Sequence, residues 1–171
     1  MKKYLNIFYW GILFFYLFLL IDTVFLGRGS FRSVNFVPLN SIREYIMVDN
    51  GIGGTRIVDM NIWGNVLMFI PAGIYLSLHS SIKSIARVLC SIFLLSLFIE
   101  VVQYIFELGA TDIDDIILNF IGGFLGVIIY KIAEKFLKED SKIKNFISIL
   151  SVIVGLPIFV LLIIIVIVNI D

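Results

Sequence analysis

Cysteine is nearly missing from this chain of 171 residues. The single Cys90 excludes an intramolecular disulfide and any cysteine-rich metal centre. Histidine is as scarce, with His79 alone, so His-dependent chemistry has one residue to draw on. Charge is thin: Lys, Arg, Asp and Glu make up 15% of the chain, against about 25% in soluble domains. The 13 basic residues balance the 13 acidic ones, which gives no reason to expect nucleic acid or an acidic partner. Internal repeats and low-complexity tracts are also absent.

What is present is apolar residue, 60% of the chain, gathered into long runs. A bilayer core of about 30 Å requires about 20 mainly apolar residues in a helix rising 1.5 Å per residue. Five stretches approach that requirement: Tyr4 to Leu26, Asn61 to His79, Ile85 to Phe106, Ile113 to Ile132 and Phe146 to Ile170. The expected fold is therefore all-α, a polytopic bundle of about five transmembrane helices forming one domain over residues 1–171. Lys2 and Lys3 precede the first run as they would in a signal peptide. The run is long for that role and no small-x-small site follows it, so it is expected to remain as the first helix.

Positive charge sets the expected orientation. With the N-terminus inside, every lysine and Arg87 fall on the cytoplasmic side, and Arg28, Arg32, Arg43 and Arg56 fall outside. The long loop after the first span, Gly27 to Met60, then faces outward. Within it, Ser41-Ile42-Arg43-Glu44 has the pattern of a capping box, with Ser41 accepting from the Glu44 amide. Ile42, Tyr45 and Ile46 would share one face of that short helix, and Gly51 to Gly54 would end it. Lys131 to Lys144 reads as a charged cytoplasmic linker. The last stretch, about 146–170, carries no polar stripe and is expected to act as an anchor.

Polar residues inside the apolar segments mark candidate function, because an ionisable group in a membrane helix is expensive. Ser96, Glu100, Gln103 and Glu107 recur at helical spacing on the third stretch. Glu100 would lie about 9 Å below the end near Phe106, where an ionised carboxyl needs a partner or a water-filled pocket. On the fourth, Asp112, Asp115, Asn119, Gly122 and Gly126 fall on one face, with Asp114 beside them. Gly122 and Gly126 have the GxxxG spacing of closely packed helices. The second stretch places Asn61 and Asn65 one turn apart, then Pro71 and Gly73 in mid-span, where they should loosen the helix. The ligand-site candidates are thus Asn61, Asn65, Glu100, Gln103, Asp112, Asp114, Asp115 and Asn119. Each has a plainer alternative in interhelical packing or helix capping. Pro71, Gly73, Gly122 and Gly126 are packing candidates. Under the charge-derived topology, all three stripes open toward the outer face.

Asn61-x3-Asn65-x3-Phe69-x-Pro71-x-Gly73, then Glu100-x2-Gln103, then Asp112-Ile113-Asp114-Asp115-x3-Asn119-x2-Gly122-x3-Gly126 resemble the VanZ-like membrane proteins in order and spacing. Asn35-Phe36-Val37-Pro38 resembles the Asn/Pro motif ahead of those helices, so the resemblance covers about residues 35–130. Many relatives carry an arginine shortly before the acidic cluster. This chain has Leu108-Gly109-Ala110-Thr111 there, and Arg28, Arg32, Arg43 or Arg56 would have to replace it.

The resemblance implies a multi-pass protein of the bacterial plasma membrane, with the long loop and acidic motif extracellular. It also implies lowered susceptibility to teicoplanin-type glycopeptide antibiotics. The expected role is binding of a cell-wall precursor, lipid headgroup or glycopeptide in an outward-facing acidic pocket, without catalysis and without a cofactor. One alternative is an enzyme acting on a phosphorylated or lipid-linked substrate, with Mg²⁺ held by Asp112, Asp115 and Glu100. No nucleophile or base stands out for it, and His79 falls at the opposite side. A proton-coupled transporter using Glu100 is a further alternative.

Overall fold

The computed structural model describes residues 2–26, 31–44, 46–49, 55–58, 60–79 and 84–168. Arg28 and the Gly51–Gly54 stretch lie outside the described residues, as does Tyr45. The helices are α1 (Lys2–Ile21), α2 (Asn40–Glu44), α3 (Met60–His79), α4 (Ile85–Phe106), α5 (Ile113–Leu137) and α6 (Asp140–Val168). A π-helical turn, Asp22–Leu26, continues α1. Four short strands accompany them: β1 (Phe31–Asn35), β2 (Ile46–Asp49), β3 (Thr55–Val58) and β4 (Leu108–Asp112). The fold is an all-α membrane bundle with two small strand pairs. Four helical segments among the described residues are long and apolar enough to cross a membrane: Ile7–Phe25, Asn61–His79, Ile85–Phe106 and Ile113–Leu137.

The chain divides into two compact units, Leu20–Ile132 and Met1–Leu19 with Ala133–Asp171. In the latter, the Lys144 ammonium lies 4.6 Å from the centre of the Tyr9 ring and 5.7 Å from that of Trp10. An aromatic face attracts a cation more strongly where water is scarce.

In the unit Leu20–Ile132, glycines bring α3 and α5 into backbone contact. A Cβ added to Gly122 would stand 2.1 Å from the Val66 carbonyl oxygen, and one on Gly126 would stand 2.2 Å from that of Ile70. From the other side, a Cβ on Gly73 would meet the Gly123 carbonyl oxygen at 2.1 Å. Small residues allow this approach, and dispersion between the backbones rewards it where lipid removes the hydrophobic drive. Gly123 itself faces Ile92 of α4, which is fully buried. α3 continues through Pro71 to His79.

α4 ends at Glu107, which takes a left-handed conformation (φ 56°) and donates its N–H to the Gln103 carbonyl. Gly109 follows at φ 98°, a value that favours glycine, and the chain enters α5 at Ile113. Between these helices β4 pairs in parallel with β1, in the register Phe31↔Leu108 to Asn35↔Asp112. β2 and β3 form an antiparallel pair.

Three local expectations need correction. Ser41 lies within α2 and its hydroxyl donates to Asp112, so it does not cap through Glu44. α2 stops at Glu44, and Ile46 belongs to β2, so Ile42 and Ile46 do not share a helical face. α5 passes Ile132 and runs to Leu137, so the expected charged linker is largely helix. Ala133, Glu134 and Lys135 are good helix formers, and nothing breaks the helix before Lys138.

At Lys138 φ is 59°, and its N–H closes onto the Glu134 carbonyl at 3.0 Å. An exposed lysine gains nothing from this conformation, which a glycine adopts freely. Lys138→Gly is expected to raise stability by about 1 kcal/mol, read as an upward shift of the thermal unfolding midpoint in detergent.

Candidate functional site

The polar residues assemble where α4 ends and where α3 and α5 begin. Asp112 closes β4, and its carboxylate receives donors from separate parts of the chain. Asn35 Nδ2 donates to Oδ1 at 3.0 Å, the Asp114 amide donates to Oδ1 at 2.9 Å, and the Ser41 hydroxyl donates to Oδ2. Asn35 Nδ2 also reaches Ser41 Oγ at 2.9 Å, while its Oδ1 accepts from the Val37 amide at 3.1 Å. Strand pairing puts Asn35 beside Asp112 in register, which brings this set together.

Asp114 is fully buried at the first turn of α5. Its carboxylate accepts from the Leu39 amide at 2.6 Å and the Ile42 amide at 3.1 Å. It thereby satisfies backbone donors at the start of α2, which its own sequence neighbours leave open. Bonds from an amide to an ionised carboxylate are among the stronger ones. Together Asp112 and Asp114 fasten the segment 35–42 to the bundle.

Glu100, also buried, accepts the Asp112 amide on Oε2 at 2.8 Å and so holds the end of β4. One turn further along α4, Gln103 donates through Nε2 to the Val24 carbonyl at 3.0 Å. Val24 sits in the π-helical turn, where the backbone pattern differs from that of an α-helix and a side chain can take a main-chain oxygen. Gln103 is 1% exposed, and its Oε1 receives no donor.

The remaining candidates divide between two faces of α5. Asp115 turns toward α3, where Asn65 Nδ2 donates to its Oδ1 at 2.5 Å. Both residues are half-buried, and Asn61 one turn earlier is exposed. Asn119 turns toward α4 and donates to Ser96 Oγ at 2.9 Å, leaving Oδ1 buried without a donor. Gly122 and Gly126 lie on the α3-facing side and Gly123 on the α4-facing side. Asp112, placed by spacing on a helical face, belongs instead to β4.

Cluster residues therefore have two kinds of surroundings. Glu100, Gln103, Asp112, Asp114 and Asn119 are buried and bonded within the protein, whereas Asn61, Asn65 and Asp115 retain contact with the exterior. This arrangement does not fit the Mg²⁺ set of Asp112, Asp115 and Glu100. Asp112 commits both oxygens to protein donors, and Glu100 Oε2 is held by an amide. Among the described residues no three His, Cys, Asp or Glu are grouped to hold a metal ion. A separate small recess lies at the far ends of α3, α4 and α5, lined by Ser77, Ser84, Val88, Val127, Tyr130 and Lys131.

Spacing alone does not reveal Ser41 as a partner of Asp112, nor the Val24 carbonyl as a partner of Gln103. Asn35 carried a signal in the Asn35-to-Pro38 motif, but its partner lies 77 residues away.

Membrane-length apolar helices, with buried carboxylates and amides bonded together at one end, define a polytopic helical membrane protein with an internal polar centre. The chain belongs to the VanZ/LLP1 family, whose model matches residues 4–134. It is 32% identical over 109 residues to Protein VanZ of Enterococcus faecium, a match covering 63% of this chain and 58% of that protein's length. No solved structure matches it.

Proposed function

We propose that this protein spans the bacterial plasma membrane with its N-terminus inside and binds a cell-envelope or glycopeptide-related ligand at the outward-facing polar cluster. Binding lowers susceptibility to teicoplanin-type antibiotics without a chemical step. Convergence supports this reading: polar groups from 35–41, α3, α4, β4 and α5 gather at one end of the bundle. Asn61, Asn65 and Asp115 are the members that a ligand can reach, and the buried carboxylates hold the surrounding chain in place. Asn and Asp together offer donors and acceptors suited to amide- and hydroxyl-rich envelope molecules. The excess of lysine at the other helix ends supports the orientation.

The test is teicoplanin sensitivity in a susceptible Gram-positive host expressing wild type, Asp115→Asn or Asn65→Ala at equal membrane levels. Wild type is expected to protect. Loss of a hydrogen bond to a charged group weakens ligand binding about 10-fold or more, so both variants are expected to lose protection. No protection by correctly inserted wild type would overturn the reading, as would full protection by both variants.

A further inference from the structure

Between β1 and α2 the chain presents four apolar residues in succession, Phe36-Val37-Pro38-Leu39, all exposed. Phe36 is 67% exposed, Val37 64% and Leu39 44%. Exposed apolar side chains on the long helices are explained by lipid around them. These four residues belong to no spanning helix, and a run of this length is unfavourable in water unless something covers it.

The segment is firmly held. Asn35 Oδ1 accepts the Val37 amide at 3.1 Å, the Asn40 amide donates to the Val37 carbonyl at 3.3 Å, and the Leu39 amide donates to Asp114 at 2.6 Å. Leu39 is kept at φ 66°, a conformation that glycine adopts without penalty and leucine does not. Its exposed side chain recovers little of that penalty inside the protein. The bond of its amide to Asp114 holds that conformation and fixes the tip in place.

The position suggests what covers it. The bond from Leu39 to Asp114 puts the tip level with the first turn of α5, at the end of a membrane-length helix. One turn beyond, the Arg43 amide donates to the Leu39 carbonyl at 3.1 Å. Arg43 is exposed and forms no ion pair among the described residues, whereas Glu44 beside it accepts from Asn40 at 3.0 Å. An apolar tip next to an available guanidinium matches the acyl chains and phosphate of an anionic phospholipid.

We propose that Phe36, Val37 and Leu39 insert into the bilayer interface and that Arg43 takes the phosphate of an anionic phospholipid there. The inference rests on the proposed function only for the choice of the outer leaflet. Because Asn35 and Leu39 flank the tip and bond to Asp112 and Asp114, lipid contact would bear on the carboxylate cluster directly.

Phe36→Trp is introduced into a Trp10→Phe/Trp63→Phe background, and the full chain is placed in phosphatidylcholine nanodiscs with or without phosphatidylglycerol. The expected emission is blue-shifted, quenched by brominated acyl chains and unaffected by iodide in the water. Arg43→Gln is expected to remove the preference for phosphatidylglycerol over phosphatidylcholine among lipids retained by the purified protein, bringing that ratio to about 1. Emission quenched by iodide and untouched by brominated lipid would overturn the proposal. Shielding from both quenchers would also overturn it, indicating a protein partner, as would an unchanged lipid ratio for Arg43→Gln. Teicoplanin protection is measured in parallel with Phe36→Ser/Leu39→Ser. Lipid insertion by a wild type that confers no protection upholds the lipid contact and removes the proposed function. Protection without insertion does the reverse.

Discussion

Gly122→Ala is expected to prevent the bundle from folding stably, whereas Gly64→Ala, on the helix that Gly122 packs against, is expected to strengthen it. At Gly122 the new methyl would lie 2.1 Å from the Val66 carbonyl oxygen, a backbone atom that cannot rotate away. Relief requires α3 and α5 to separate, which also breaks the contacts at Gly126 and Gly73. Overpacking costs about 1–3 kcal/mol when side chains can adjust, and more when a backbone must move. Gly64 has nothing within 4 Å of an added Cβ. There alanine's helix propensity should contribute up to about 1 kcal/mol. Gly123→Ala ranks between them, because its nearest neighbours are Ile92 side-chain atoms, the first at 2.6 Å. Unfolding midpoints in mixed micelles check the order. Wild-type stability in Gly122→Ala, or a loss in Gly64→Ala, would contradict this packing.

Asp114→Ala should release α2 from the bundle while leaving the spanning helices in place. The carboxylate is fully buried and is the acceptor for the amides of Leu39 and Ile42. Each bond to a charged group is worth about 1.5–3 kcal/mol, and a buried amide left alone adds its own desolvation. Both amides can reach water once α2 lifts, so the net loss should be about 2–4 kcal/mol. Asp114→Asn keeps one acceptor oxygen but turns an NH₂ toward one of the amides, so it should not restore wild-type behaviour. Hydrogen exchange provides the readout: the Leu39 and Ile42 amides should become fast, with amides in the middle of α4 unchanged. Slow exchange at both positions in Asp114→Ala would show that another group satisfies them.

Four of the five expected spans coincide with membrane-length helices among the described residues. Ile85, Phe106 and Ile113 mark observed helix ends, because the transfer of apolar residues into lipid is summed over a local run and needs no partner. The end of α5 is less legible in the sequence, since lysines and glutamates favour helix as readily as they favour water. Ser41-x-x-Glu44 has the spacing of a self-contained cap, yet Asp112 offers the hydroxyl a buried, ionisable partner. Three aspartates at a helix start suggest favourable interaction with that helix's own dipole. Two of them instead serve Asn35, Ser41, Leu39 and Ile42, which arrive from the other side of α3 in the sequence.

By itself the sequence determined that this protein lives in a membrane, where its helices run, and which polar residues interrupt them. Those are properties of hydropathy and period, and each is set within a few turns of chain. Tertiary structure decided which polar groups are spent and which remain accessible. Asp112, Asp114 and Glu100 fasten the chain, while Asn61 is exposed and Asn65 and Asp115 are half-buried. Hydrogen bonds are short and directional, so their pairing depends on segments that meet only after folding, as Asn35 and Asp112 do across 77 residues.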